Sequence, residues 1–219
     1  MPSASRVRIW DLPTRLFHWL FAVAVIGAFV SVKVGGLWMD YHLLFGYAAL
    51  GLLIFRVLWG FVGPRNVRFS QFVKGPTAIL RYLRDPRRMA GHNPLGGWSV
   101  LALLLAVGIQ VTTGLFASDG IFTEGPLASR ISGELSDQLT SIHHSNEIVI
   151  MILVGLHLLA IVFYGLFKRQ NLTGPMITGS APAEVFETPQ ADTEGSVGLA
   201  IKAILCAAIA AAVVGWVVR

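Results

Sequence analysis

The sequence predicts an all-α membrane protein: a four-helix transmembrane bundle with a fifth transmembrane helix appended at its C-terminal end. Three observations carry that prediction. Of 219 residues, 54% are apolar and only 13% charged, where a soluble domain carries roughly 25% charged residues. Five stretches are long and apolar enough to cross a hydrocarbon core of ~30 Å as helices. The few charges are sorted by loop, basic on one side and acidic on the other. So little charge could not cover the surface of a soluble fold, and so apolar a chain is not disordered.

The first span is expected over about 17–36, entered through Asp11 as N-cap and Pro13 in the first turn. Its apolar run is too long for the core of a signal peptide and no A-x-A-like site follows, so it reads as a retained span. Further spans are expected over about 42–63, 97–117, 143–167 (most apolar from Ile148) and 197–218. Residues 170–196 are rich in Pro, Thr, Gly and Ala and carry Glu184, Glu187, Asp192 and Glu194. This composition reads as a flexible linker. The expected organisation is a four-helix domain over 1–179, a cytoplasmic linker over 180–196 and a fifth helix over 197–219.

Charge sets the orientation. The connection 64–97 holds Arg65, Arg68, Lys74, Arg81, Arg84, Arg87 and Arg88 against Asp85 alone, and the N-terminal segment holds Arg6, Arg8 and Arg15 against Asp11. The alternate connections hold Asp40, then Asp119, Glu124, Glu134 and Asp137 against Arg130. The positive-inside rule places the N-terminus and the basic connection in the cytoplasm and the C-terminus on the far side. The net charge of +5 therefore reports topology and does not point to nucleic acid. Trp10, Trp19, Trp38, Trp59, Trp98 and Trp216 all fall near span ends, as interfacial anchors in the lipid bilayer do. The lone Cys206 allows no internal disulfide.

Five of the six histidines, His18, His42, His143, His144 and His157, lie in or at the ends of spans, and only His92 sits in the basic connection. An ionisable side chain inside a membrane is costly and marks a functional site by default. The topology sorts them by depth. His42 and His143 open their spans at the outer face, and His18 opens the first span at the inner face. His157 follows His143 by fourteen residues, ~21 Å along a helix axis, which brings it to the inner level. Fourteen residues at 100° return to within ~40° of the starting face, whereas thirteen end ~140° away. His143, rather than His144, thus shares a face with His157. Two stacked pairs, His42 with His143 and His18 with His157, suit haem held by two axial imidazoles. Zinc, which usually takes four ligands including Cys or carboxylate, and a proton relay are the competing uses.

Trp10-Asp11-Leu12-Pro13 followed by Arg15-Leu16-Phe17-His18-Trp19 resembles the opening signature of the prokaryotic cytochrome b561 family, which includes the b-type cytochrome subunits of nickel-iron hydrogenases. His42-Leu43-Leu44-Phe45-Gly46 with Phe55-Arg56-Val57-Leu58-Trp59 is similar to its second helix, and Thr113-Gly114-Leu115 to its third. His143, Leu156 and His157 resemble the fourth, and Met176-Ile177-Thr178-Gly179 the stretch that closes the domain. The resemblance spans about 6–179. It implies a diheme b-type core, with two haem b ligated by His18/His157 and His42/His143, that carries electrons across a bacterial inner membrane and exchanges them with membrane quinone. The fifth helix and the doubled His143-His144 depart from the family pattern, and the doubling leaves His144 as a rival outer ligand.

Arg56 follows His42 by fourteen residues and returns to the same face at the inner level. A haem propionate would satisfy its guanidinium; snorkelling to the interface is the plain alternative. Arg15, three residues before His18, is a weaker case of the same kind. Gly46, one turn after His42, would let a flat macrocycle or a neighbouring helix approach. Gln110 suits a quinone, a propionate or another helix. His144, Ser145, Asn146 and Glu147 form either a solvated helix start or a quinol-oxidation site needing a proton acceptor.

The expected function is transmembrane electron transfer between quinone and a redox partner protein. The acidic outer connection suits a soluble cytochrome with a basic face. A membrane anchor for a hydrogenase-like oxidoreductase and a haem-free, histidine-dependent metal or proton transporter are the alternatives. The Ala-rich fifth helix suits homo-oligomerisation or partner docking.

Overall fold

A computed structural model describes residues 6–86, 89, 91–185 and 196–219. In chain order the elements are β1 (Arg6–Arg8), α1 (Leu12–Val34), α2 (Met39–Val62), α3 (Phe69–Phe72), α4 (Pro76–Arg84), α5 (Pro94–Gly114), α6 (Gly133–Leu166), α7 (Thr173–Thr178), β2 (Ser180–Pro182) and α8 (Ser196–Val217). α1, α2, α5, α6 and α8 are each long and apolar enough to cross a membrane. The fold is an all-α, multi-pass membrane protein.

Two spans start five or more residues earlier than their apolar runs suggest. α1 begins at Leu12 because Asp11 caps it: the carboxylate accepts the Thr14 N–H at 2.9 Å and the Thr14 hydroxyl at 2.7 Å. α6 begins at Gly133, ten residues before the expected start at 143. Its 34 residues extend about 51 Å at 1.5 Å per residue, against a hydrocarbon core of ~30 Å. Its polar first turns therefore project beyond the hydrocarbon. Hydropathy reads the hydrocarbon crossing, and a helix need not stop where the crossing does.

The described chain divides into two compact units. The first comprises the described residues of Met1–Leu16, Val57–Ala102 and Gly155–Leu205. In it β1 and β2 pair antiparallel, with Val7 opposite Ala181. Gly179 sits at φ +86°, where a side chain is disfavoured, and its carbonyl accepts the N–H groups of Ile9 and Trp10. The linker expected to open at 180 thus begins as a strand through Pro182, followed by a short turn over Ala183–Val185; residues 186–195 lie outside the described residues. Trp59 is fully buried, and its indole N–H is shared by Asp11 (3.2 Å) and Thr14 (3.1 Å). Trp10 is buried too, against His92 at 4.7 Å between ring centres. These two are core residues rather than lipid anchors, whereas Trp19, Trp38, Trp98 and Trp216 are exposed as a belt requires.

The second unit comprises Phe17–Arg56, Leu103–Val154 and Cys206–Arg219. Ala106, Val107 and Ile150 form its core, with Phe21, Val25, Val111, Leu153 and Val154 packed around them. Phe45 lies so near Gly27 that a Cβ there would sit 2.6 Å from the ring. α8 buries Leu199, Cys206, Ala210 and Val217, a stripe along one helix face, while Ala207, Ala208, Ala211 and Ala212 stay exposed. At the outer connection Asp119 accepts three N–H groups, from Ile121, Phe122 and Thr123. These bonds, that of Thr123 foremost, hold its carboxyl down to about 2.

Candidate functional site

The second unit brings the rings of His42 and His143 together edge-on. Their ring centres lie 6.0 Å apart with the ring planes at 84°. Each ring is anchored at Nδ1. His42 donates to the carbonyl of Ala28 on α1 at 2.8 Å, and His143 to the carbonyl of Gln110 on α5 at 2.9 Å. A carbonyl can only accept, so both rings carry their proton on Nδ1 and keep Nε2 as the lone-pair nitrogen. A ligating histidine is usually held this way, the far ring nitrogen donating to a carbonyl that fixes tautomer and plane.

Small residues give the pair its room. A Cβ on Gly114 would sit 2.9 Å from Cε1 of His143, whereas one on Gly46 would meet nothing within 4 Å. Gly114 therefore admits the imidazole, and Gly46 leaves open space one turn below His42. Ser31, fully buried, donates its hydroxyl to the carbonyls of Gly27 and Ala28. The buried Thr113 donates to Ile109 at 2.7 Å and lies 3.4 Å from His143 Nδ1. Ser31 carries no signal in the sequence because a lone hydroxyl in an apolar helix has no spacing pattern, and Thr113 is marked there only by the Thr113-Gly114-Leu115 resemblance, with no task attached.

The remaining candidates separate. His144 is exposed and Asn146 buried. Asn146 donates both amide hydrogens to α5, to the carbonyl of Ala106 (2.8 Å) and to Gln110 Oε1 (2.7 Å). Gln110 thus meets another helix, and the polar cluster after His143 works partly as a clasp between α5 and α6. Glu147 pairs with Lys33 of α1 at 2.7 Å. Arg56 is 3% exposed, so its side chain is held inside rather than carried to the surface. Arg15 belongs to the first unit, where its guanidinium donates to the carbonyl of Ile177. His18 and His157 are both half-buried and fall in different units, so their pairing rests on the sequence register.

Among the described residues no three His, Cys, Asp or Glu side chains converge on a metal-sized point. The donor set is two imidazoles, which lacks what a four-ligand zinc site needs and fits a metal whose other ligands come from a macrocycle. A membrane-spanning bundle with imidazoles so held is the architecture of a membrane haem protein of the electron-transfer class.

Comparison with known sequences agrees. The prokaryotic cytochrome b561 family matches residues 9–179, and the chain belongs to that family. It is 25% identical over 217 residues to a protein of Rhizobium leguminosarum bv. viciae, covering 79% of this chain and 87% of the relative. It is 24% identical over 212 residues to one of Azotobacter vinelandii, covering 80% and 88%. Both relatives are named "Probable Ni/Fe-hydrogenase B-type cytochrome subunit". No solved structure matches. As a b-type cytochrome the chain carries haem b, and its function is transmembrane electron transfer.

Proposed function

We propose that the chain holds two haem b, one between His42 and His143 and one between His18 and His157, and passes electrons across the bacterial inner membrane between quinone and a redox partner protein. The observation that carries this reading is the His42–His143 pair, 6.0 Å apart and tethered at both Nδ1 atoms. The inner pair rests on the fourteen-residue step from His143 to His157 within α6 and on the position of His18 in the second turn of α1. Bound haem would supply one-electron redox chemistry, and His42, His143, His18 and His157 would hold it.

The protein's own residues supply the rest. The carbonyls of Ala28 and Gln110 hold the imidazole planes and make the rings more basic ligands. The open space beside Gly46 accommodates a flat group at the level of His42. The buried guanidinium of Arg56 offers a cation for a propionate. The basic connection puts the N-terminus in the cytoplasm and the C-terminus in the periplasm. The acidic outer connection then faces a soluble cytochrome with a basic surface.

Haem quantification with a reduced-minus-oxidised spectrum tests this directly: two low-spin haems per chain are expected, and a colourless protein would sink the reading. His157→Leu should remove one haem and keep the other, and retention of both would refute the pairing. The names of the relatives favour a second reading, in which the redox partner is a hydrogenase that this chain anchors to the membrane. Stable co-purification of larger subunits distinguishes that arrangement from exchange with a freely diffusing cytochrome.

A further inference from the structure

α4 has three faces. At 100° per residue, Ala78, Ile79 and Tyr82 share one sector of the helix, Pro76, Leu80 and Leu83 a second, and Thr77, Arg81 and Arg84 the third. The first sector packs into its own unit, with Tyr82 buried and Ala78 and Ile79 half-buried. The third is exposed and cationic. The second is exposed as well: Leu80 and Leu83 each keep 56% of their surface. A surface helix needs one apolar face to pack on its own protein. A separate apolar face calls for a second apolar phase.

The position of α4 supplies that phase. The chain leaves one span at Val62 and enters the next at Pro94, so α4 is tethered to the membrane at both ends. Trp98, exposed in the first turns of α5 where interfacial tryptophans sit, donates its indole N–H to the carbonyl of Lys74 at 2.9 Å. That bond holds the chain two residues before α4 at the level where α5 begins. In the last turn of α4 the Tyr82 hydroxyl lies 2.8 Å from that of Tyr164, near the end of α6, and Asn93 donates to Tyr164 at 2.9 Å. Both clasps set α4 at the depth where two spans end.

We propose that α4 is an interfacial helix whose partner is an anionic lipid surface. Leu80 and Leu83 enter the acyl boundary, and Arg84 binds headgroup phosphates, with Arg81 and Thr77 on the aqueous side. Arg84 adjoins Leu80 around the helix, which sets its guanidinium at the polar edge of the buried strip. Amphipathic helices bind membranes by this combination of apolar area and basic charge. The helix thereby holds the long basic connection against the bilayer.

Nitroxide labels on single cysteines test the assignment. Thr77→Cys, Leu80→Cys and Leu83→Cys are made in a Cys206→Ala background, each with the parent's melting temperature, and reconstituted in phosphatidylglycerol vesicles. Labels at 80 and 83 should be relaxed several-fold more by oxygen than by a water-soluble nickel chelate, with the reverse at 77. Nickel access at 80 and 83 equal to that at 77 would overturn the interfacial helix. In phosphatidylcholine vesicles the labels at 80 and 83 should move toward nickel access, and unchanged depth would overturn the role of anionic headgroups.

Discussion

At the scale of single residues, the outer histidine pair depends on contacts that allow little substitution. Gly114→Ala would place a methyl group 2.9 Å from Cε1 of His143, and the ring, already bonded to Gln110, must give way. Overpacking of this kind costs about 1–3 kcal/mol. We expect loss of one haem with a lower melting temperature, read from haem absorbance and thermal unfolding. Trp59→Phe tests a different bond. The buried Asp11 carboxylate and Thr14 hydroxyl would lose the indole donor they share, at a cost of about 1–3 kcal/mol, measurable as a drop in melting temperature. The histidines and Arg56 were legible in the sequence because ionisable groups stand out in apolar spans. Ser31 was not, since a hydroxyl is ordinary in membrane helices, and Thr113 and Gly114 stood out only as a motif of resemblance; the approach of an imidazole is what gives them a task.

At the scale of elements, the spans were readable from hydropathy, whereas their ends were decided by local chemistry. α1 starts where Asp11 can cap it, and α6 starts where a polar segment gains from continuing a helix already nucleated within the membrane. The outer connection is held by Asp119, whose three N–H donors keep its carboxyl near 2 instead of the ordinary 3.8. A depressed carboxylate resists protonation, so its stabilisation of the tip is complete above about pH 4 and is lost as pH falls toward 2. Protection of the Ile121, Phe122 and Thr123 amides, taken relative to the intrinsic exchange rate at each pH, should therefore hold down to about pH 4 and fall below it. Asp119→Ala should lower that protection throughout, and unchanged protection would show that the tip is held by other contacts. The strand Ser180–Pro182 lay hidden in a stretch whose composition suggested only a linker, because a three-residue edge has no periodicity to read.

At the scale of the whole molecule, the proposed pair of haems would put a carrier near each face for electron transfer across the membrane. In sealed vesicles with ferricyanide trapped inside, the protein should pass electrons from an external reductant. His157→Leu should abolish that transfer while the outer haem remains reducible from its own side. Undiminished transfer in the variant would mean that one haem suffices for the crossing. The fifth helix lies beyond the residues that match the family, yet it buries a continuous stripe through Leu199, Cys206, Ala210 and Val217. Ala207, Ala208, Ala211 and Ala212 stay exposed and open to lipid or to a second chain.

The sequence by itself determined the membrane class, the spans, the sorting of charge and the short list of histidines. Each of these follows from the cost of placing polar groups in hydrocarbon, which acts on every residue according to its own chemistry. Which nitrogen of His42 and His143 is tied to a carbonyl, which tryptophans are core, and where Gln110 and Asn146 find partners were decided only by the tertiary structure. Those outcomes depend on distances of a few ångströms between residues far apart in the chain, and no local pattern records them.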